Sequence, residues 1–209
     1  SQYYLGSDFY SFGKKNKNKI FYIIKRSPGA GFFSNLNYVL HSLLICEKKN
    51  YIPIIDMQNF KTIYNEKTKI SFSNNCWEYY FKKINLYKLK EVYKSKNVII
   101  PRKEINLKFD MSDLIFSNMK IKIKIKDKIL NNIKEFKKKH FFKNDKILGI
   151  HLRGTSYKTA AGHAFPPTEK LMSKFIDDLL IKHGYNKIFL ITEEEKYLKF
   201  FKKKYSNLY

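Results

Sequence analysis

With 209 residues the chain is long enough to bury a core, and its two cysteines, Cys46 and Cys76, lie in apolar or aromatic surroundings that indicate buried free thiols in a reducing compartment rather than a disulfide scaffold. The formal charge of +24 comes almost entirely from lysine, with only three arginines, and specific base recognition depends on the planar fork of arginine; we therefore expect mostly solvated surface charge and no specific nucleic-acid partner. No apolar run of about 18 residues and no signal-peptide pattern occurs, which argues against a membrane span and predicts a cytoplasmic protein.

The first part of the chain follows the order strand, helix, strand. Residues 1–18 form a loose lead-in of aromatic and then glycine-, lysine- and asparagine-rich sequence. The pattern then predicts a strand, a tight turn, an amphipathic helix and a second strand, at 19–25, 27–31, 33–49 and 51–56. Pro53 favours an edge or early position for the second strand. This βαβ order implies a parallel sheet, and we assign residues 19–143 to a Rossmann-like domain.

The middle of the chain is mostly helical in pattern, and the last part repeats the βαβ order. Helices are predicted at 77–84, 86–94, 111–119 and 127–142, with one short strand at 97–100. Further on, we predict strand, loop, helix, strand and helix at 147–152, 153–167, 168–183, 187–192 and 194–204. A doubly wound domain normally contains more strands, so we expect residues 144–209 to form the start of a second, incomplete Rossmann-like domain.

Ligands of open parallel sheets bind beyond the carboxyl ends of the strands, so the loops there are the candidate sites. In the first of these loops, Gly29 and Gly31 precede a helix N-terminus, where backbone N–H groups favour an anion. The loop also imitates the dinucleotide pattern G-x-G-x-x-G, with Ser34 in the place of the third glycine and Asp56 at the end of the next strand. An NAD(P)-binding oxidoreductase and a plain tight turn both remain open.

The second loop follows the strand that carries His151 and Arg153. Because side chains of a strand alternate, these two residues point to the same face. Arginine can hold two phosphate oxygens of a leaving diphosphate, and histidine can bind a sugar or a base edge. The alternative is a structural arginine paired with a carboxylate.

The third loop carries Glu193, Glu194 and Glu195 after the last predicted strand. A carboxylate there could accept the two N–H groups on one edge of guanine. Acidic residues at a helix start also complement the helix dipole, and this explanation stays open. The chain lacks Asp-x-Asp, HExxH, GxSxG and Walker A motifs, which weakens metal-dependent transferases, zinc proteases, serine hydrolases and P-loop NTPases as classes.

Taken together, the loops resemble the GDP-fucose-utilising superfamily of protein O-fucosyltransferases, α1,6-fucosyltransferases and NodZ-type enzymes. The segments that carry the resemblance are PGAGFFSNLNYVL at 28–40, NNCWEYYF at 74–81, GIHLRGTSYKTAAGHAFPPT at 149–168 and IFLITEEE at 188–195. The resemblance implies a GT-B architecture and metal-independent, inverting transfer of fucose from GDP-fucose, with no cofactor. We expect the acceptor to be a bacterial surface glycan or its lipid-linked precursor, reached by peripheral contact with the anionic inner face of the membrane.

The resemblance also implies roles for single residues. Arg153 falls on the family's essential arginine, which contacts the donor diphosphate. The donor-binding residues implied by the resemblance and the turns are Asn35, Gly31, His151, Thr155 and Glu193. Glu193 stands where relatives often place an aspartate for guanine, and Ser156 replaces an acidic residue common in relatives. His163 and Glu78 are candidates for the base by location alone.

Two other function classes remain as alternatives. The first is the NAD(P)-binding oxidoreductase suggested by the glycine-rich turn. The second is a non-catalytic module that binds a sugar nucleotide or nucleic acid. The family also has a later Ser/Thr-bearing loop that closes over the phosphates, and this chain stops before it. We therefore expect the chain alone to bind the donor weakly or not at all.

Overall fold

A computed structural model describes residues 7–26, 28–102, 120–154, 162 and 165–209. The chain divides into two compact units, Ser1–Leu130 and Asn131–Tyr209. The first unit contains β1 Ser7–Tyr10, β2 Phe21–Ile24, α1 Phe32–Lys49, β3 Ile52–Ile55, α2 Trp77–Tyr80, α3 Leu89–Val92 and β4 Val98–Pro101. Helix α4, Asp127–His140, spans the boundary, and the second unit continues with β5 Ile147–Leu152, α5 Glu169–His183, β6 Lys187–Thr192 and α6 Glu195–Lys204.

The first unit is built on a mixed four-stranded sheet in the order β1-β4-β2-β3. Strands β4, β2 and β3 are parallel, and β1 pairs antiparallel with β4. Strand β3 forms one edge of the sheet, which confirms the position predicted from Pro53. Strand β1 lies within residues 1–18, for which the sequence predicts only a loose lead-in. The local pattern does not reveal this strand, because its partner strand comes some 90 residues later along the chain.

Strand β2 is apolar throughout because both faces of the sheet are covered. On one face Tyr22 and Ile24 pack in the cluster that holds the buried side of α1, including Val39 and Leu43. On the other face Phe21 lies in a second cluster with residues of β3, α3 and β4. Burying each such side chain contributes roughly 1.5–3 kcal/mol, so the continuous apolar run fixes the strand at the centre.

The second unit is a parallel pair of strands with helices packed against it. Strands β5 and β6 align from Ile147 opposite Lys187 to Leu152 opposite Thr192. Helix α5 begins after Thr168, whose Oγ1 accepts the N–H of Leu171 at 3.3 Å, and ends at Gly184 in a left-handed conformation. The core contains Leu152, Ile176, Ile188, Tyr197, Phe201 and Tyr205, from the strands and from α5 and α6.

The predicted α/β fold and both βαβ units are confirmed, with strand and helix ends within two residues of the prediction. The helices predicted at 77–84 and 86–94 are each only four residues long. Phe81 takes an extended conformation, and on either side of it the backbone groups of Tyr80 and Lys82 form hydrogen bonds with residues 124–126. Helix α2 therefore ends where this distant segment pairs with it. The helix predicted at 111–119 lies outside the described residues. In the described ranges, no helix combines the length and apolar character that crossing a bilayer requires.

Candidate functional site

Arg26 lies just beyond the carboxyl end of β2 and is held by the first two turns of α1. Its Nε donates to Asn35 Oδ1 at 3.2 Å and its Nη2 donates to Ser34 Oγ at 2.8 Å. The guanidinium also lies 4.8 Å from the ring centroid of Tyr38. This arrangement places a fixed positive charge beside a helix N-terminus. Arg26 is a site residue that the sequence motifs missed, and the signal that could have found it is an arginine directly after a predicted parallel strand.

The glycine-rich turn leads into α1 without a side-chain cap. Gly29 has φ +94°, which only glycine adopts without strain, and Gly31 is the extended N-cap residue. Phe32 N–H donates to the hydroxyl of Tyr64 at 2.7 Å, so one of the free amides of the first turn is already used. Within the described residues the N–H groups of Phe33 and Ser34 have no acceptor, so both can donate to an anion.

The predicted donor-binding residues Gly31 and Asn35 lie together in this turn. A Cβ added at Gly31 would meet no atom within 4 Å, so the turn is open at this point. Asn35 is buried, and besides accepting from Arg26 it donates from Nδ2 to the carbonyl of Ala30 at 3.4 Å. Asn35 therefore ties the turn, the helix and the arginine into one rigid group.

Asp56, the carboxylate of the dinucleotide-like pattern, is 0 % exposed. It accepts hydrogen bonds from the N–H groups of Gln58 and Asn59, from Asn59 Nδ2 and from the hydroxyl of Tyr93 at 2.7 Å. Burial, followed by the hydrogen bond and charge of Asp56, raises the pKa of Tyr93, so this hydroxyl stays a donor. Asp56 caps its own turn and is not placed to bind a ribose, which weighs against the NAD(P) interpretation.

In the second unit, Arg153 follows the carboxyl end of β5 and Glu193 follows β6. Arg153 Nε lies 3.5 Å from Glu193 Oε1, and the two side chains are 46 % and 43 % exposed. The structure thus brings together two residues that the sequence assigned to different parts of the donor. A pair this accessible contributes at most about 1 kcal/mol to stability, so it can open for a ligand.

The two predicted roles of this pair compete. In a guanine nucleotide the base edge and the diphosphate are separated by the ribose. Arg153 and Glu193 in contact cannot serve both ends of one nucleotide, so binding that used both residues would break the pair first.

His151 is exposed one position before Leu152, whose side chain is buried in the core of the second unit. Arg153 is exposed one position after Leu152, so His151 and Arg153 both lie on the side away from this core, in agreement with the predicted common face. Gly154 follows Arg153, and a Cβ there would come within 2.2 Å of Glu194 Cγ. The side chain of Glu194 packs directly over this glycine and would have to move if a larger residue stood there.

The remaining candidates divide into three groups. Thr155 and His163 lie outside the described residues. Glu195 is an exposed helix residue that pairs with Lys199 at 2.9 Å, in agreement with the helix-start explanation. Glu78 belongs to the first unit, where its carboxylate accepts from Ser73 Oγ at 2.8 Å.

Both cysteines are free and buried, as the sequence predicted. Burial raises the pKa of the Cys46 thiol. Burial also raises the pKa of the Cys76 thiol, although a hydrogen bond with Thr62 partly offsets this increase. Neither thiol has the lowered pKa of a nucleophile, so both are packing residues.

Similarity to known proteins is found in the structure and not in the sequence. No family profile matches the sequence, and no curated protein matches it. Among solved structures, the chain is similar to the α-1,6-fucosyltransferase NodZ soaked with GDP-fucose, with a TM-score of 0.58 and 15% identity over 91% of this chain and 77% of that one. Fucosyltransferase NodZ from Bradyrhizobium gives a TM-score of 0.56 at 13% identity, with the same coverage of both chains. Similarity at this identity establishes the fold.

Proposed function

We propose that this chain is a fucosyltransferase-like glycosyltransferase that uses GDP-fucose as its donor. Its architecture would be GT-B-like, with a Rossmann-like domain at 19–143 and part of a second one at 144–209. Support comes from the NodZ fold, because the similar structures include one soaked with GDP-fucose and one co-crystallised with GDP.

The placement of the arginines is the observation that carries the proposal. The chain has 42 basic residues, of which only three are arginines. Arg26, Arg102 and Arg153 each follow the carboxyl end of a parallel strand, β2, β4 and β5 respectively. Lysine serves every other basic position. Arginine therefore occurs only after the carboxyl ends of parallel strands, where ligands of such folds bind. The planar guanidinium group of arginine can bind two phosphate oxygens at once.

In the proposed reaction an acceptor hydroxyl attacks the anomeric carbon of the sugar from the face opposite the phosphate. The bond from that carbon to the phosphate oxygen breaks, and the diphosphate leaves with the electron pair. Arg153 neutralises the charge that develops on the leaving group, which is the role of metal ions in other transferases. The acceptor proton passes to a base, and the configuration at the anomeric carbon is inverted.

We propose a bacterial surface glycan or its lipid-linked precursor as the acceptor. The net charge of +24 would draw the protein to an anionic membrane face, where such precursors reside. The proposal requires neither a metal ion nor a cofactor, because arginine and helix N-termini supply the positive charge.

Calorimetric titration with GDP, GDP-fucose, UDP and NADH tests the proposal. We expect binding of the two guanine ligands and its loss in Arg153→Ala. Lys199→Ala is the matched control, since it removes one positive charge from the same unit and lies beside Glu195 instead of the strand ends. Binding of NADH without GDP would replace the proposal with the oxidoreductase alternative. GDP binding that survives Arg153→Ala would remove Arg153 from the site.

A further inference from the structure

A cavity of about 400 Å³ lies along the outer edge of β3 in the first unit, and the arginine-bearing turn does not line it. The edge backbone is already engaged there. Asn85 Nδ2 donates to the carbonyl of Pro53 at 2.6 Å, and Asn75 Nδ2 donates to the carbonyl of Ile55 at 2.7 Å. Because these acceptors are taken, the cavity suits a compact ligand better than an added strand.

The cavity is positively charged. Four lysines and one glutamate line it, namely Lys69, Lys83, Lys88, Lys90 and Glu78. The carboxylate of Glu78 lies 3.8 Å from Lys83 Nζ, so these two charges offset one another. In the part of the chain that the structure describes, the other three lysines pair with no carboxylate. The walls therefore attract an anion.

Phe72 stands at the cavity wall in an unusual position. Ile70 and Ser73 exchange two backbone hydrogen bonds of 3.0 Å, which closes a two-residue hairpin at Ser71 and Phe72. Both central residues have positive φ, 49° and 65°, a geometry that Asn-Gly usually fills. Phenylalanine is strained there, and its side chain is 100 % exposed. Backbone strain of this kind is concentrated at functional positions, and the exposed ring is available for contact with a ligand in the cavity.

The remaining walls combine an aromatic ring with amide groups. Trp77 also lines the cavity, but it is only 5 % exposed and its indole Nε1 is itself buried, without a hydrogen-bond partner among the described residues, so the ring open to a ligand is that of Phe72. Gln58 and Asn74 also line the cavity and offer donors and acceptors to hydroxyl groups. Apolar ring surface suits the C–H face of a sugar, amides suit its hydroxyls, and lysines suit an attached carboxylate or phosphate.

We propose that this cavity binds an anionic oligosaccharide, a short chain of sugars that carries carboxylate or phosphate groups. The inference goes beyond the proposed function, because binding here requires neither the donor nor the strand-end arginines.

Titration with trigalacturonate, its neutral methyl ester and inorganic phosphate tests this site. We expect trigalacturonate to bind about tenfold more tightly than the ester, since the ester cannot form charge-assisted hydrogen bonds. The double variant Lys69→Gln with Lys88→Gln should weaken trigalacturonate binding by about tenfold or more. Lys14→Gln with Lys17→Gln removes the same charge from exposed positions outside the cavity and should change nothing.

Phe72→Ala tests the contact with the sugar ring, and Leu86→Ala is its control. Leu86 is 98 % exposed and does not line the cavity. We expect weaker trigalacturonate binding in the first variant only. Phosphate that binds as tightly as trigalacturonate, equal losses in both lysine double variants, or no trigalacturonate binding would each overturn the proposal. GDP titrations of the same variants keep this result separate from the proposed function, because GDP binding should not change.

Discussion

Replacing Glu193 by glutamine separates the two roles open to the Arg153–Glu193 pair. The change removes one negative charge and keeps the size of the side chain. If Glu193 mainly holds Arg153 in the free protein, the variant removes this one competitor of the diphosphate for the guanidinium. If Glu193 reads guanine, the variant loses an acceptor for the base.

The structure sets the size of the expected effect. The two side chains are 46 % and 43 % exposed, so their interaction is screened nearly as in water. Two unit charges about 4 Å apart then interact by about 1 kcal/mol. Because binding no longer has to displace Glu193, Glu193→Gln should tighten GDP binding by about fivefold. The free energy of unfolding should change by less than about 1 kcal/mol.

Calorimetric titration with GDP and inosine diphosphate measures both effects. Inosine diphosphate lacks the 2-amino group, so the ratio of the two affinities reports contact with that edge of the base. We expect the ratio to stay the same in Glu193→Gln. Glu195→Gln makes the same charge change two residues away on an exposed helix residue and should leave both affinities unaltered. Weaker GDP binding together with a lost preference over inosine diphosphate would refute this reasoning and assign Glu193 to guanine.

Three further substitutions test the turn, the buried carboxylate and an acid-sensitive ion pair. Because the turn is open at Gly31, Gly31→Ala should change the free energy of unfolding by less than about 0.5 kcal/mol and should weaken GDP binding. Gly29→Ala, at φ +94°, should instead lower the free energy of unfolding in urea by about 1–2 kcal/mol. Asp56→Ala should cost about 3 kcal/mol in the same assay, since it leaves several buried donors without an acceptor. The hydrogen bond from Lys187 lowers the pKa of Asp145, so this pair stabilises the fold above the usual carboxyl pKa and is lost as the pH falls through the lowered value. Asp145→Asn should therefore flatten the acid side of the profile of melting temperature against pH.

Each of these expectations has a result that contradicts it. GDP affinity unchanged in Gly31→Ala would place the ligand away from the turn. A stable Asp56→Ala protein would mean that the donors around it find other partners. If the melting temperature of Asp145→Asn still falls at acid pH as in the unchanged protein, other carboxyl groups cause the pH dependence. Asp177 is one such group, since the hydrogen bond from Lys204 lowers its pKa.

The similarity to NodZ structures establishes the fold. The fold alone is shared by proteins of many functions, so it cannot assign a reaction. Arg153 is a site candidate from the sequence because it follows a recognisable strand, and the same criterion selects Arg26. Its contacts with Ser34 and Asn35 show that α1 orients it.

The sequence by itself determined the elements whose patterns are local. The apolar runs of β2, β5 and β6, the periodic face of α1 and the edge position of Pro53 were all predicted, because burial between helices demands those residues at those spacings. The loops after the parallel strands followed from the same pattern. These elements place the candidate site at the carboxyl ends of the strands.

Tertiary structure alone decided which distant residues meet. Strand β1 exists because β4 offers it a free edge, and α2 is short because residues 124–126 pair beside Phe81. The hydrogen bond between Tyr93 and Asp56 and the ion pair between Arg153 and Glu193 join residues 37 and 40 positions apart. No local pattern encodes such contacts, because they depend on how folded surfaces approach each other. They nevertheless decide which polar side chains remain available to a ligand.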